Sequence, residues 1–477
     1  MPLDTPPKLI PITHISPRPI PWFARKTRAD SGARKTHALI YRFGATGSAL
    51  LVLVGMSYLY MYGDADLYEQ ILGWYGVVPF QFPFVDISGS LAAWECARQG
   101  VDVITSDPCD VLQRGYNYSP LWMAASAIPL DVGDTTIVGW SLDVLFLLSL
   151  SLVPPPRRLI ELVLMFAATL STMVVFAVER ANPDIMLFML ALATGLLAEG
   201  EPFVRLLGYF VALVSALLKY YPITVLIIVF RERIVVFVLV SLIIMCSLGV
   251  FWAEYHVEIA RGLPNIARGP YNSDLFAAKN LPFLLGEAVG NAAEPSNLTP
   301  LVERATAYGL YAALVGACVA VCRRLLGFGE LRSALASLTR FEGIFLVIGS
   351  AVIVGCFFAG QSIGYRGIFL LLVLPGLLGI SREPNRDVRH LGLGTSIVIV
   401  LLMWGECIRH ALYSALEDSS IPQILAGDLK ILCWLIREFG WWWSVSVMLT
   451  VLINFLRDSP TLNTMRSLFD RLAVRAR

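Results

Sequence analysis

The chain has 477 residues, 56% of them hydrophobic and only 15% charged, with a mean hydropathy of +0.67. Soluble domains carry about 25% charged residues, so a soluble globular enzyme is excluded, and a net charge of +1 leaves no basic excess for nucleic acid. Eight scattered cysteines give neither a disulfide scaffold nor a Cys/His zinc pattern, so the expected fold class is all-α, a polytopic transmembrane helical bundle.

Residues 1–43 are rich in Pro and Arg and hold no apolar run before Gly44, so they read as a basic cytoplasmic segment and not as a signal peptide. A membrane helix needs roughly 20 mainly apolar residues. Candidate spans, some short or broken, fall at 44–62, 134–153, 159–178, 185–199, 206–220, 221–230, 234–252, 303–322, 341–360, 366–380, 391–409 and 440–456. These twelve crossings make 44–456 one transmembrane domain. With the N-terminus inside, 25 of the 37 Lys and Arg lie on the inner segments, the arrangement that the positive-inside rule favours. Both termini are then cytoplasmic, residues 457–477 form a cytoplasmic tail, and the segments 63–133, 253–302 and 410–438 lie outside.

Within the first outer loop, Asp64 and Asp66 follow the first span directly and read as a solvated helix end. The run from Phe84 to Gly100 predicts a short helix with Asp86 at its N-cap and Gly100 just past its end. Asp86 is thus a cap or a catalytic carboxylate. Cys96 and Cys109, 13 residues apart on the oxidising side, are expected to pair. Tyr116 and Tyr118 precede Ser119–Leu130, an apolar dozen too short to span at 1.5 Å per residue; it reads as a re-entrant or interfacial helix. The two tyrosines fit an interface belt or a binding wall.

Three further polar clusters lie at membrane ends. In Glu179-Arg-Ala-Asn-Pro-Asp184, Asn182 as N-cap and Pro183 at the first helical position explain the turn but not Glu179 and Arg180. Lys219-Tyr-Tyr-Pro222 divides an apolar stretch of 25 residues. A lysine near bilayer depth costs on the order of 2.5–3.5 kcal/mol and is usually met by an anion or carboxylate, or else it snorkels. Gln361 to Arg366 opens another span, and a planar guanidinium at that depth suits a phosphate, either of a substrate or of a lipid headgroup. Farther on, the triple Trp441–Trp443 reads as an interfacial aromatic anchor.

In order along the chain, Asp86 with its small-residue helix, Tyr118-Ser-Pro120, the Glu-Arg-x-Asn turn, Lys219-Tyr-Tyr-Pro222, Asn272-Ser273 and Tyr365-Arg366 resemble the GT-C superfamily of integral-membrane glycosyltransferases. The nearest likeness is to the polyprenol-phosphate-mannose-dependent α-1,2-mannosyltransferases, over about residues 44–456; that family often has Gly-Gln-x-Asn where this chain has Arg180-Ala-Asn182. The resemblance implies transfer of a sugar, mannose first, from a polyprenyl-monophosphate donor to a lipid or glycan acceptor at the outer face of a bacterial plasma membrane, with no cofactor. Asp86 becomes the general base for an inverting displacement. Lys219, Arg366 and Arg180 become the donor-phosphate cations, and Glu179, Asn182, Tyr116, Tyr118, Tyr220, Asn272, Gln361 and Tyr365 line the substrates. No metal is implied, Asp64 and Asp66 being the pair for a metal-using variant. A lipid or glycan transporter is the competing class, since it too breaks helices at mid-membrane; no internal repeat between the two halves supports it.

Overall fold

The computed structural model describes residues 35–80, 82–266, 269–292, 298–417 and 422–475. Most of the predicted segment 1–43 and the last two residues of the tail therefore lie outside the described residues. The described chain is helical: α1 (Lys35–Tyr62), α2 (Ala65–Trp74), α3 (Val85–Arg98), α4 (Thr135–Ser149), α5 (Leu159–Thr169), α6 (Thr172–Arg180), α7 (Asp184–Ala198), α8 (Pro202–Leu218) and α9 (Ile234–Gly262) make the first part. The second part holds α10 (Asn280–Ala292), α11 (Thr299–Leu326), α12 (Gly329–Ser337), α13 (Arg340–Ala359), α14 (Leu370–Ile380), α15 (Arg386–Met403), α16 (Gly405–Glu417), α17 (Gln423–Arg457) and α18 (Pro460–Arg475). Short 3₁₀ helices cover Pro120–Ala127, Tyr221–Arg231 and Gly364–Phe369. Among the described residues an antiparallel bridge between Phe276 and Ser362 is the nearest approach to a sheet.

Among the described residues seven helical stretches are long and apolar enough to cross a membrane, and eight if α15 and α16, bent by 62°, form one broken span. This is an integral membrane protein. The four other predicted spans fall on shorter apolar helices, 184–198, 202–218, 221–231 and 364–380. The breaks have local causes. Pro183 precedes α7, and Pro222 lacks the N–H that would continue α8 past Lys219, so the chain tightens there into a 3₁₀ helix.

Helices α13 and α14 form the centre, with every residue of α14 buried, whereas α1, α9 and α11 leave most of their apolar side chains exposed, as lipid-facing helices must. The expected aromatic anchor is corrected here. α17 begins at Gln423, not near 440, which carries Trp441 and Trp442 into the protein interior. Trp441 stacks on Phe276 with ring centroids 4.4 Å apart, and Trp442 meets Phe357 edge-on. Packing, with its large apolar area, outcompetes the interface for these two rings.

At one end of the bundle Arg382 is bidentate to Glu161 (2.8 and 2.7 Å) and reaches Glu342 (2.6 Å), tying α5, α13 and α14 together. At the other end lie α2, α3 and the segments from 99 to 131 and from 269 to 279. That end carries the candidate site.

Candidate active site

α3 starts in an unusual way. Phe84 has φ +65°, a left-handed conformation rare for a bulky residue, and no side chain caps the helix. Its N–H donates to the Glu179 carbonyl at 2.7 Å, and its ring lies on Gly139 of α4, where a Cβ would come within 2.6 Å of the Phe84 Cγ. The expectation that Asp86 caps the helix is therefore corrected: Asp86 is the second helical residue, and its carboxylate points elsewhere. Asn182 Nδ2 donates to Oδ2 at 2.6 Å and Arg114 to Oδ1 at 3.2 Å. Asn182 also accepts from the Asp184 N–H at 2.8 Å, but the N-cap of α7 is Pro183, expected at the first helical position, so the predicted cap at Asn182 is corrected by one residue.

Arg114 is the residue that sequence reasoning missed here. Its guanidinium joins Asp86, the Val85 carbonyl (2.9 Å) and Asp110 (2.8 Å). Gly89 leaves it room, since a Cβ there would meet the guanidinium at 2.5 Å. The disulfide Cys96–Cys109 joins α3 to the loop that carries Asp110 and Arg114, as the sequence led us to expect. Burial in that loop pushes the Asp107 carboxyl above the usual carboxylate range.

Asp86 and Arg114 open into a cavity of about 440 Å³ that Tyr116, Tyr118, Arg180 and Tyr365 also line. Arg180 is bonded to Glu179 (2.9 Å) and lies over Phe80 and Phe176 at 4.0 and 4.8 Å. A second, mostly apolar cavity of about 390 Å³ begins at Glu179 and Ser88 and continues between α1, α4, α5 and α6 as far as Ala49 and Leu147.

Lys219 and Arg366 occupy the layer behind. Lys219 Nζ bonds Asp184 Oδ1 at 2.5 Å, Tyr221 donates to the same oxygen at 2.9 Å, and Arg366 Nε lies 3.4 Å from Oδ2. Asp184 is fully buried. Neither cation lines the Asp86 cavity; the Tyr118 ring stands in front of Lys219, 5.1 Å from Nζ. A lysine at that depth takes the nearest carboxylate, and the acid that closes the Glu-Arg-Ala-Asn-Pro-Asp turn is the signal that could have named it. Two cations on one acid leave a net positive charge close to Asp86.

The remaining predicted residues are dispersed. Tyr220 lines a neighbouring cavity, Gln361 donates to the Gly269 carbonyl (3.0 Å), and Asn272 is exposed. Asp64 caps α2 through the Leu67 N–H (3.1 Å), and it and Asp66 are exposed and outside the lining of the Asp86 cavity. Among the described residues the converging ligand group is Cys96, Asp107 and Cys109, whose two sulfurs are bonded to each other. No family model, curated protein or solved structure matches the chain.

Proposed function

We propose that this protein is a membrane glycosyltransferase of the GT-C type, built on twelve crossings. In this reading it moves a sugar, mannose first, from a polyprenyl-monophosphate donor to a lipid or glycan acceptor on the outer side of a bacterial plasma membrane. The observation that carries the reading is two cavities lined by neighbouring residues, Ser88 and Glu179 on one side and Gly89 and Arg180 on the other: a polar one holding Asp86, Arg114 and Arg180, and an apolar one that leads from Glu179 into the bundle. A substrate with a charged head and a long hydrocarbon tail needs both. A transporter needs no carboxylate held at two oxygens beside two guanidinium groups.

Asp86 acts as the general base. Its Asn182 and Arg114 bonds fix the carboxylate, which accepts a proton from the acceptor hydroxyl as that oxygen attacks the anomeric carbon and the bond to phosphate breaks with inversion. Arg180, at the cavity wall, meets the departing phosphate directly, and the net positive charge of the Asp184–Lys219–Arg366 group supports it from behind. Tyr116, Tyr118 and Tyr365 give the sugar its walls.

The test is to incubate purified protein with a panel of radiolabelled polyprenyl-phosphate sugars and follow release of polyprenyl phosphate. Release from at least one donor, lost in Asp86→Asn, supports the assignment. No release from any donor, or undiminished release from the variant, overturns it.

A further inference from the structure

The cavity beyond Tyr116 and Tyr118 has a chemistry of its own. It measures about 360 Å³ and lies between the 101–124 segment and the end of α9. It shares Tyr116, Asn117 and Tyr118 with the Asp86 cavity, and Tyr220 and Tyr255 add two more phenol rings. Glu258 reaches it from α9, and its Oε2 is buried with no hydrogen-bond partner among the described residues. The other acid in the wall, Asp102, is already neutralised: Arg261 pairs with it and also donates to Thr105 at 2.6 Å. Among the described residues no Lys, Arg or His lines this cavity.

One uncompensated carboxylate among four tyrosines limits what can bind. Anions are repelled. A hydroxyl satisfies the hydrogen bond of the buried Oε2 but leaves the charge of the carboxylate unmatched. A divalent metal requires several oxygen ligands of its own, and a single free carboxylate does not supply them. An organic ammonium answers both demands, because its N–H groups or charge meet the carboxylate while aromatic faces attract cations through their quadrupole. We infer that this cavity binds an ammonium group, carried either by the headgroup of an ethanolamine-type lipid or by an amino sugar. The lipid-facing position of α9 makes the first source reachable from the bilayer, and the wall shared with the Asp86 cavity brings either ligand beside that site. The inference is independent of the transferase reading, since its test involves no transfer.

The experiment is a saturation-transfer NMR titration of the full-length protein in detergent. The probes are lysophosphatidylethanolamine and methyl glucosaminide, with lysophosphatidylglycerol and methyl glucoside as their matched controls. At least one ammonium probe is expected to bind tenfold or more tightly than its control, and which one it is identifies the source. Glu258→Gln should weaken that binding at least tenfold without lowering the thermal midpoint, since Oε2 has no bond to lose; Tyr255→Leu, a second variant on the same wall, should weaken it threefold or more. Equal binding of probes and controls overturns the inference. So does wild-type affinity in Glu258→Gln, or in Tyr255→Leu should the first variant not fold.

Discussion

Asparagine in place of Asp86 keeps an oxygen to accept from Asn182 but turns an NH2 group toward Arg114, which loses this one ion pair and keeps Asp110 and the Val85 carbonyl. A carboxylate in the first turn of a helix is worth about 0.3–1 kcal/mol through the helix dipole, so Asp86→Asn should lower the thermal midpoint by a few degrees at most while removing transfer. Near-wild-type turnover would move the base elsewhere. Asp184 is different because it is fully buried between two cations. Removing one partner of a buried ion pair costs about 3–5 kcal/mol, and Asp184→Asn strands both Lys219 and Arg366; loss of that order in detergent unfolding is expected. Lys219→Met and Arg366→Met each leave Asp184 one cation, whereas the double variant leaves none. The double should therefore be less stable than the sum of the singles, by about 0.5–3 kcal/mol for groups in contact. Additive losses would mean that the two cations do not share the acid.

At the scale of elements, α3 is held by two devices, and each can be removed. Gly139→Ala drives a methyl group against the Phe84 ring; overpacking costs about 1–3 kcal/mol, and because Phe84 sets the start of α3, transfer should fall more steeply than stability. A variant as active as the parent would show that α3 adjusts freely. The disulfide closes a loop of 13 residues, for which the entropic model gives about 3 kcal/mol. Cys96→Ser should lose stability of that size, and in the unreduced protein mass spectrometry should find neither thiol alkylated. Each predicted span falls on helical chain because apolar length is a strong signal, but 159–178 and 391–409 each run over two helices and 366–380 over a 3₁₀ helix and α14. What the sequence hides is where polar groups turn once packed. Asp86 reads as a cap because capping residues and catalytic acids are the same residue type, and only the left-handed Phe84 shows that the helix starts without a side-chain cap. Arg114 lies in a loop whose path depends on a disulfide, and Trp441 looks like an interface residue until α17 is seen to start at Gln423. Asp86, Asn182, Lys219 and Arg366 could be picked out singly by depth and charge; their pairing with Arg114 and Asp184 is a tertiary fact.

Across the whole molecule, ion pairs secure both ends of the bundle. Arg382, far from the candidate site, satisfies two buried carboxylates at once, so Arg382→Leu should cost about 3–5 kcal/mol and lower the thermal midpoint even with substrate absent; an unchanged midpoint would show that water reaches Glu161 and Glu342. The three-charge group around Asp184 has another consequence, for the order of events during synthesis. Lys219 follows Asp184 by 35 residues, and Arg366 follows Lys219 by a further 147. At roughly 5–20 residues per second, the lysine emerges about 2–7 s after the acid, and the arginine about 7–30 s after that. The early pair is neutral, so α7 and α8 can enter the membrane as a matched hairpin. The late arginine is what gives the finished group its positive charge, so the newborn chain acquires that charge only when more than three quarters of it has been made.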